Sequence, residues 1–69
     1  MAFCNMENYL FIVRNHQGVQ LNATEVNHPD RLMHTAHGLI DLYYPFHAES
    51  CEIWMRTEHH KMVLLGTAF

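Results

Sequence analysis

Residues 28–47 read HPDRLMHTAHGLIDLYYPFH, and whether this stretch is helical decides what kind of domain the chain can build. On a 100° wheel Leu32, Ala36, Leu39, Ile40 and Tyr43 fall within about 100° of one another, the stripe expected of a helix that buries one side. His34, His37 and Asp41 lie opposite, with Arg31, Thr35 and Gly38 beside them on the solvated side. Asn27 is placed to cap such a helix, Pro29 suits its first turn, and Asp30 would sit near the positive end of its dipole. Tyr44-Pro45 should end it, because the residue before a proline is pushed out of the α region. Gly38 in the middle costs roughly 1 kcal/mol relative to alanine.

The segments on either side alternate with a period of two or are continuously apolar, so they read as strands. Tyr9-Leu10-Phe11-Ile12-Val13-Arg14 is aromatic and β-branched and too short for an ordinary helix, which suits a buried central strand. Asn15-His16-Gln17-Gly18 supplies a turn, since Gly18 takes positive φ without steric cost. Val19, Leu21 and Ala23 then alternate with Gln20, Asn22 and Thr24, as in a strand with one wet face. After the helix, Cys51, Ile53 and Met55 alternate with Glu52, Trp54 and Arg56. Glu58-His59-His60 forms a turn, and Met62-Val63-Leu64-Leu65 begins a last strand. The expected fold is α+β: a four-stranded, mainly antiparallel sheet in the element order β-β-α-β-β, with one helix packed on one face.

A single helix shields only one side of such a sheet, yet the first and last strands are apolar on both sides and Trp54 points away from Ile53. Large bare apolar patches mark interaction sites, so the second side is expected to be covered by the termini, a second copy or a foreign protein. Size points the same way. With 69 residues the chain is one domain, 1–69, and domains this small usually supplement their core with disulfides, a metal or oligomerisation.

Composition excludes several classes. A hydrophobic content of 49% with 16% charged residues lies far from the disordered regime. The longest fully apolar run, Tyr9 to Val13, falls far short of the roughly 20 residues that cross a bilayer, so no membrane partner is expected. The basic residues Arg14, Arg31, Arg56 and Lys61 are scattered and the net charge is −3, which disfavours direct nucleic-acid binding. Protonating the seven histidines would carry that charge from −3 to +4, so its sign reverses below neutral pH. No secretory leader is apparent, and Cys4 and Cys51 suggest no disulfide framework; a cytoplasmic location is expected. The sequon-like Asn22-Ala23-Thr24 is then a chance match.

His34 and His37 neighbour each other on the helix, with Asp41 one further turn along, so the three form a candidate metal site, with His28 as an additional candidate ligand. The competing reading is a plain solvated helix face, because nothing supplies a fourth ligand or orients the rings. Cys51 could act as a nucleophile only if an imidazole or a helix N-terminus lowered its pKa, and His47 four residues before it need not face it. A small core residue is the simpler role. No glycine-rich phosphate loop, GxSxG or HExxH occurs, so no enzyme and no cofactor is expected. Trp54 and Arg56 share one strand face and belong to the residue types that dominate interface energetics; Glu52 and Glu58 could add steering, completing a candidate partner-binding set.

The resulting expectation is a small protein-binding module that acts sterically on a partner protein and self-associates as a homodimer through the uncovered sheet face. In size, acidity and layout across the whole chain it resembles phage and mobile-element inhibitors of host nucleic-acid enzymes, including anti-CRISPR proteins, though no motif carries the resemblance. That resemblance implies acidic residues competing for a basic groove. A metal- or pH-responsive histidine module and a small enzyme completed across a dimer are the alternatives.

Overall fold

The computed structural model describes residues 8–27 and 30–69. Its elements run β1 (Asn8–Asn15), β2 (Gln20–Asn27), α1 (Leu32–Leu42), a 3-10 turn (Tyr44–Phe46), β3 (Ala48–Arg56) and β4 (Met62–Ala68). The four strands form one antiparallel sheet in the order β2-β1-β3-β4, and α1 packs on it, chiefly against β3. The expected α+β layout is therefore the observed one.

Register explains the core. In an antiparallel pair, residues directly opposite share a face of the sheet. Phe11 opposes Ile53 and Val13 opposes Cys51, so these four side chains project together toward α1. All four are buried, and with Ala36, Ala48 and Ala68 they make the core. Ala36 is the one fully buried helix position; Leu32, Leu39, Ile40 and Tyr43 pack around the same cluster, which is the stripe expected from the wheel. An alanine at the closest point lets the helix backbone approach the sheet.

Both hairpin turns are held by a side chain. The Asn15 Oδ1 accepts hydrogen bonds from the backbone N–H groups of Gln17 and Val19, both at 2.9 Å, while Gly18 adopts a φ of 82°. In the second turn the Thr57 Oγ1 accepts from the Lys61 N–H at 3.2 Å, and His60 sits at a φ of 62°. Glu58-His59-His60 is thus the turn that composition implied.

Two expectations need correction. Asn27 does not cap the helix: it is the last residue of β2, opposite Asn8, and the sheet ladder holds it extended. The helix starts at Leu32, its cap residue Arg31 makes no side-chain capping bond, and no acidic residue lies in its first turn. Asp30 precedes that cap, and His28 and Pro29 lie outside the described residues. The second correction concerns β2. Its inward face is not Val19, Leu21 and Ala23, because Phe11 opposes Thr24 and Val13 opposes Asn22, which brings those polar residues to the helix side. There the Asn22 Nδ2 donates to the Thr24 Oγ1 at 2.6 Å, and Ala23, opposite Ile12, is exposed. Pairing skips Leu21 between Asn22 and Gln20, a β-bulge that keeps Leu21 against the core while shifting the alternation. Val19 lies outside the strand and is exposed.

Phe11 is fully buried at the centre of the central strand pair. Phe11→Ala is expected to remove about 3–5 kcal/mol, a loss comparable to the whole stability of a small domain. Urea denaturation followed by tryptophan fluorescence checks this; a midpoint within error of the wild type would contradict the assigned core.

Candidate functional site

The same register that buries Phe11 and Ile53 sends their neighbours the other way. Leu10 opposes Trp54 and Ile12 opposes Glu52, so the helix-free side of the central strands carries Leu10, Ile12, Glu52, Trp54 and the two arginines Arg14 and Arg56. From β2 it receives Ala23 and Glu25, and from β4 it receives Met62, Leu64 and Thr67. Among the described residues no element packs over this side. Leu10, Ile12 and Trp54 are half-buried.

Polar contacts hold this surface in shape. Glu52 accepts from three directions: the Trp54 Nε1 donates to its Oε1 at 3.1 Å, Arg14 donates to the same oxygen at 3.4 Å, and the Arg14 Nε lies 3.2 Å from its Oε2. Arg14 also donates to the Gly18 carbonyl oxygen at 3.1 Å, which ties the grip to the first turn. At the other end Arg56 pairs with Glu25 at 2.9 Å, bridging β3 and β2 across β1. The result is a row of apolar side chains bounded by internally paired charges, with the indole N–H hydrogen-bonded to one of them. Ion pairs this exposed add little stability, but they set the orientation of the groups they join.

Of the four candidate partner-binding residues, Glu52, Trp54 and Arg56 are brought together on this surface, and Glu58 lies apart in the exposed β3–β4 turn. Glu52 and Arg56 are committed to internal pairs, which makes them positioning groups for the surface. Sequence reading missed Arg14 and Glu25. Their signal was latent in the alternation, since both fall on helix-free positions, but nothing before the register was known joined Arg14 to Glu52 or Glu25 to Arg56.

The histidines do not gather where the sequence bunches them. His34, His37 and Asp41 are all exposed on α1, and among the described residues no three His, Cys, Asp or Glu side chains are grouped to hold a metal ion. A different pair meets instead. His16 from the β1–β2 turn and His47 after the 3-10 turn stand edge to face with ring centroids 6.2 Å apart. His47 takes a φ of 68°, a left-handed conformation that a histidine adopts uncommonly. The two rings line a wide, open cleft of about 690 Å³ together with Asp41, Tyr44 and Glu49.

Cys51 is fully buried, opposite Val13 on one side and Ala68 on the other. Burial, reinforced by the adjacent Glu52 carboxylate, pushes its thiol from an ordinary 9.0 up to about 11. A nucleophile needs the opposite shift. Cys4 lies outside the described residues.

Two measurements follow from this geometry. Because the folded thiol has the higher pKa, its stabilising contribution is complete below about pH 9 and lost as the pH rises to about 11, roughly 3 kcal/mol over that window. Urea midpoints should fall more steeply between those pH values in wild type than in Cys51→Ala, and parallel curves would contradict the shift. Zinc titrated calorimetrically at neutral pH should show no binding tighter than millimolar, and a micromolar site abolished by His34→Ala or His37→Ala would reinstate the helical ligand set. No protein-family model matches the chain, and neither a curated protein nor a solved structure matches it.

Proposed function

We propose that this chain is a small cytoplasmic protein-binding module whose helix-free sheet side is laid against another protein, blocking that protein by covering it. The target class is a nucleic-acid enzyme with a basic groove, the kind of host enzyme that phage and mobile-element inhibitors such as anti-CRISPR proteins disable. The action is steric: no bond is made or broken and no cofactor is held.

The observation that carries this reading is Trp54, half-buried beside Leu10 with its N–H already satisfied by Glu52. An indole held in one rotamer loses little conformational freedom on docking, and tryptophan is the residue type most enriched among those that dominate binding energy. Paired charges around an apolar centre reproduce the layout of protein interfaces, where a polar rim surrounds a desolvated core. The net charge of −3 favours approach to a basic groove. Seven carboxylates are too few to imitate a nucleic-acid backbone, so affinity must come chiefly from the apolar centre.

The test is DNA cleavage by a panel of purified RNA-guided nucleases titrated with the protein. At least one should lose activity with wild type and need roughly 30-fold more Trp54→Ala for the same inhibition, the loss of a residue worth about 2 kcal/mol at the centre of an interface. Glu58→Ala, in the β3–β4 turn apart from this surface, should change inhibition by less than about fivefold. If no nuclease is inhibited the target class is wrong, and if Trp54→Ala inhibits as well as wild type with its circular dichroism unchanged, docking does not use this surface.

A further inference from the structure

The carboxylates of this chain are not all partnered. Glu52 and Glu25 are held by Arg14 and Arg56 on the helix-free side, and Asp30 and Glu58 have Arg31 and Lys61 close by in sequence. Asp41, in the last turn of α1, and Glu49, at the start of β3, line the cleft that holds His16 and His47. Among the described residues neither of these two carboxylates has an ion pair or a hydrogen bond. The chain's own cations do not serve them. Arg14 and Arg56 are committed to their pairs, and Arg31 precedes α1, about 15 Å from Asp41 along the helix. Lys61 lies past the far end of β3, a strand that runs about 23 Å from Glu49 to Arg56. The cleft therefore concentrates negative charge that nothing in the fold neutralises.

We propose that this cleft receives an arginine side chain of a partner protein, drawn by Asp41 and Glu49 and stacked on the rings beside them. Charge complementarity calls for a cation, and the walls select its kind. His16, Tyr44 and His47 supply planar rings, Tyr44 being 72% exposed, while Ile40 and Pro45 supply apolar contact. A guanidinium lies flat on such rings and donates a fork of N–H groups to carboxylates, and its aliphatic stem packs on apolar groups. An ammonium is a compact, strongly hydrated charge that gains less from a flat wall. At about 690 Å³ the cleft is of the size that takes ligands, and its open mouth admits a side chain projecting from another surface. Phe46, next to Pro45 and His47 in sequence and 62% exposed, adds apolar area for the residues flanking that arginine. The cleft lies beside α1, on the other side of the sheet from Trp54, so the inference does not rest on what the Trp54 surface binds.

The probe is the blocked peptide acetyl-Gly-Arg-Gly-amide, titrated into the isotope-labelled intact chain at about pH 7.5, where an ordinary imidazole is mostly neutral. Amide signals of His16 and of residues 40–49 should move, with half-saturation at about 1–10 mM, the strength of one side chain without the rest of its interface. The peptide carrying lysine in place of arginine should need at least about threefold more, and Tyr44→Ala should remove that preference. Asp41→Asn combined with Glu49→Gln should raise the arginine midpoint at least about fivefold. Asp30→Asn combined with Glu58→Gln removes the same charge away from the cleft and should leave the midpoint within about twofold. All four positions are exposed, so the fold tolerates both double variants. Cleft signals that stay fixed at about 20 mM peptide, equal weakening in the two double variants, or lysine binding as well as arginine would each overturn the proposal. The second outcome would reduce the effect to net charge, and the third to attraction without stacking.

Discussion

The antiparallel pairing of β1 with β3 is the constraint on which the rest of this molecule depends. Because opposite residues share a face, setting Phe11 against Ile53 and Val13 against Cys51 commits four side chains to the helix side and leaves Leu10, Ile12, Glu52 and Trp54 on the other. A slip of one residue would turn one strand over relative to the other, exposing Phe11 if β1 turned or burying Glu52 if β3 turned. Burial of Phe11 and Val13 under Ala36 therefore specifies the composition of the opposite surface as firmly as it specifies the core.

That opposite surface combines apolar contact area with a restrained geometry. Arg14, Glu52 and Trp54 form a short network on neighbouring strands, and Arg56 with Glu25 closes the other end. Each ion pair is partly solvated and of small energetic weight, yet together they neutralise the charges beside the indole. Under the proposed function, a partner laid on this side would meet an indole whose N–H is already hydrogen-bonded to Glu52. The raised thiol of Cys51 fits the same division: the sulfur belongs to the packed side, where it contributes volume.

The histidines show how proximity along a chain differs from proximity in space. His34 and His37 stay on the exposed side of α1, where the 3.6-residue repeat leads them away from the sheet. His16 and His47, thirty-one positions apart, meet because the β1–β2 turn and the end of the 3-10 turn lie at the same end of the β1–β3 pair, where Asn15 opposes Ala48. No spacing rule connects a turn residue to one that follows a helix.

Local patterning was enough for much of the architecture. Alternation in Cys51 to Arg56, the apolar run of β1 and the stripe from Leu32 to Tyr43 each depend on contacts or steric limits within a few residues, so element types, their order and the helix-free side could be read from the chain, whereas α1 ends at Leu42, just before the expected stop, and Tyr44-Pro45 falls in the 3-10 turn. The composition of the Trp54 face was legible in β3 for that reason. Long-range register was not: the bulges at Leu21 and Leu65, the inward placement of Asn22 and Thr24 and the placement of Asn27 in a strand rather than a cap all follow from which residue lies opposite which. Strand order likewise belongs to tertiary structure, since the run from Met62 to Leu65 suits a buried centre as well as an edge until the sheet is assembled. Pairing energies accrue across segments distant in sequence, and a pattern confined to one segment carries no record of its partner.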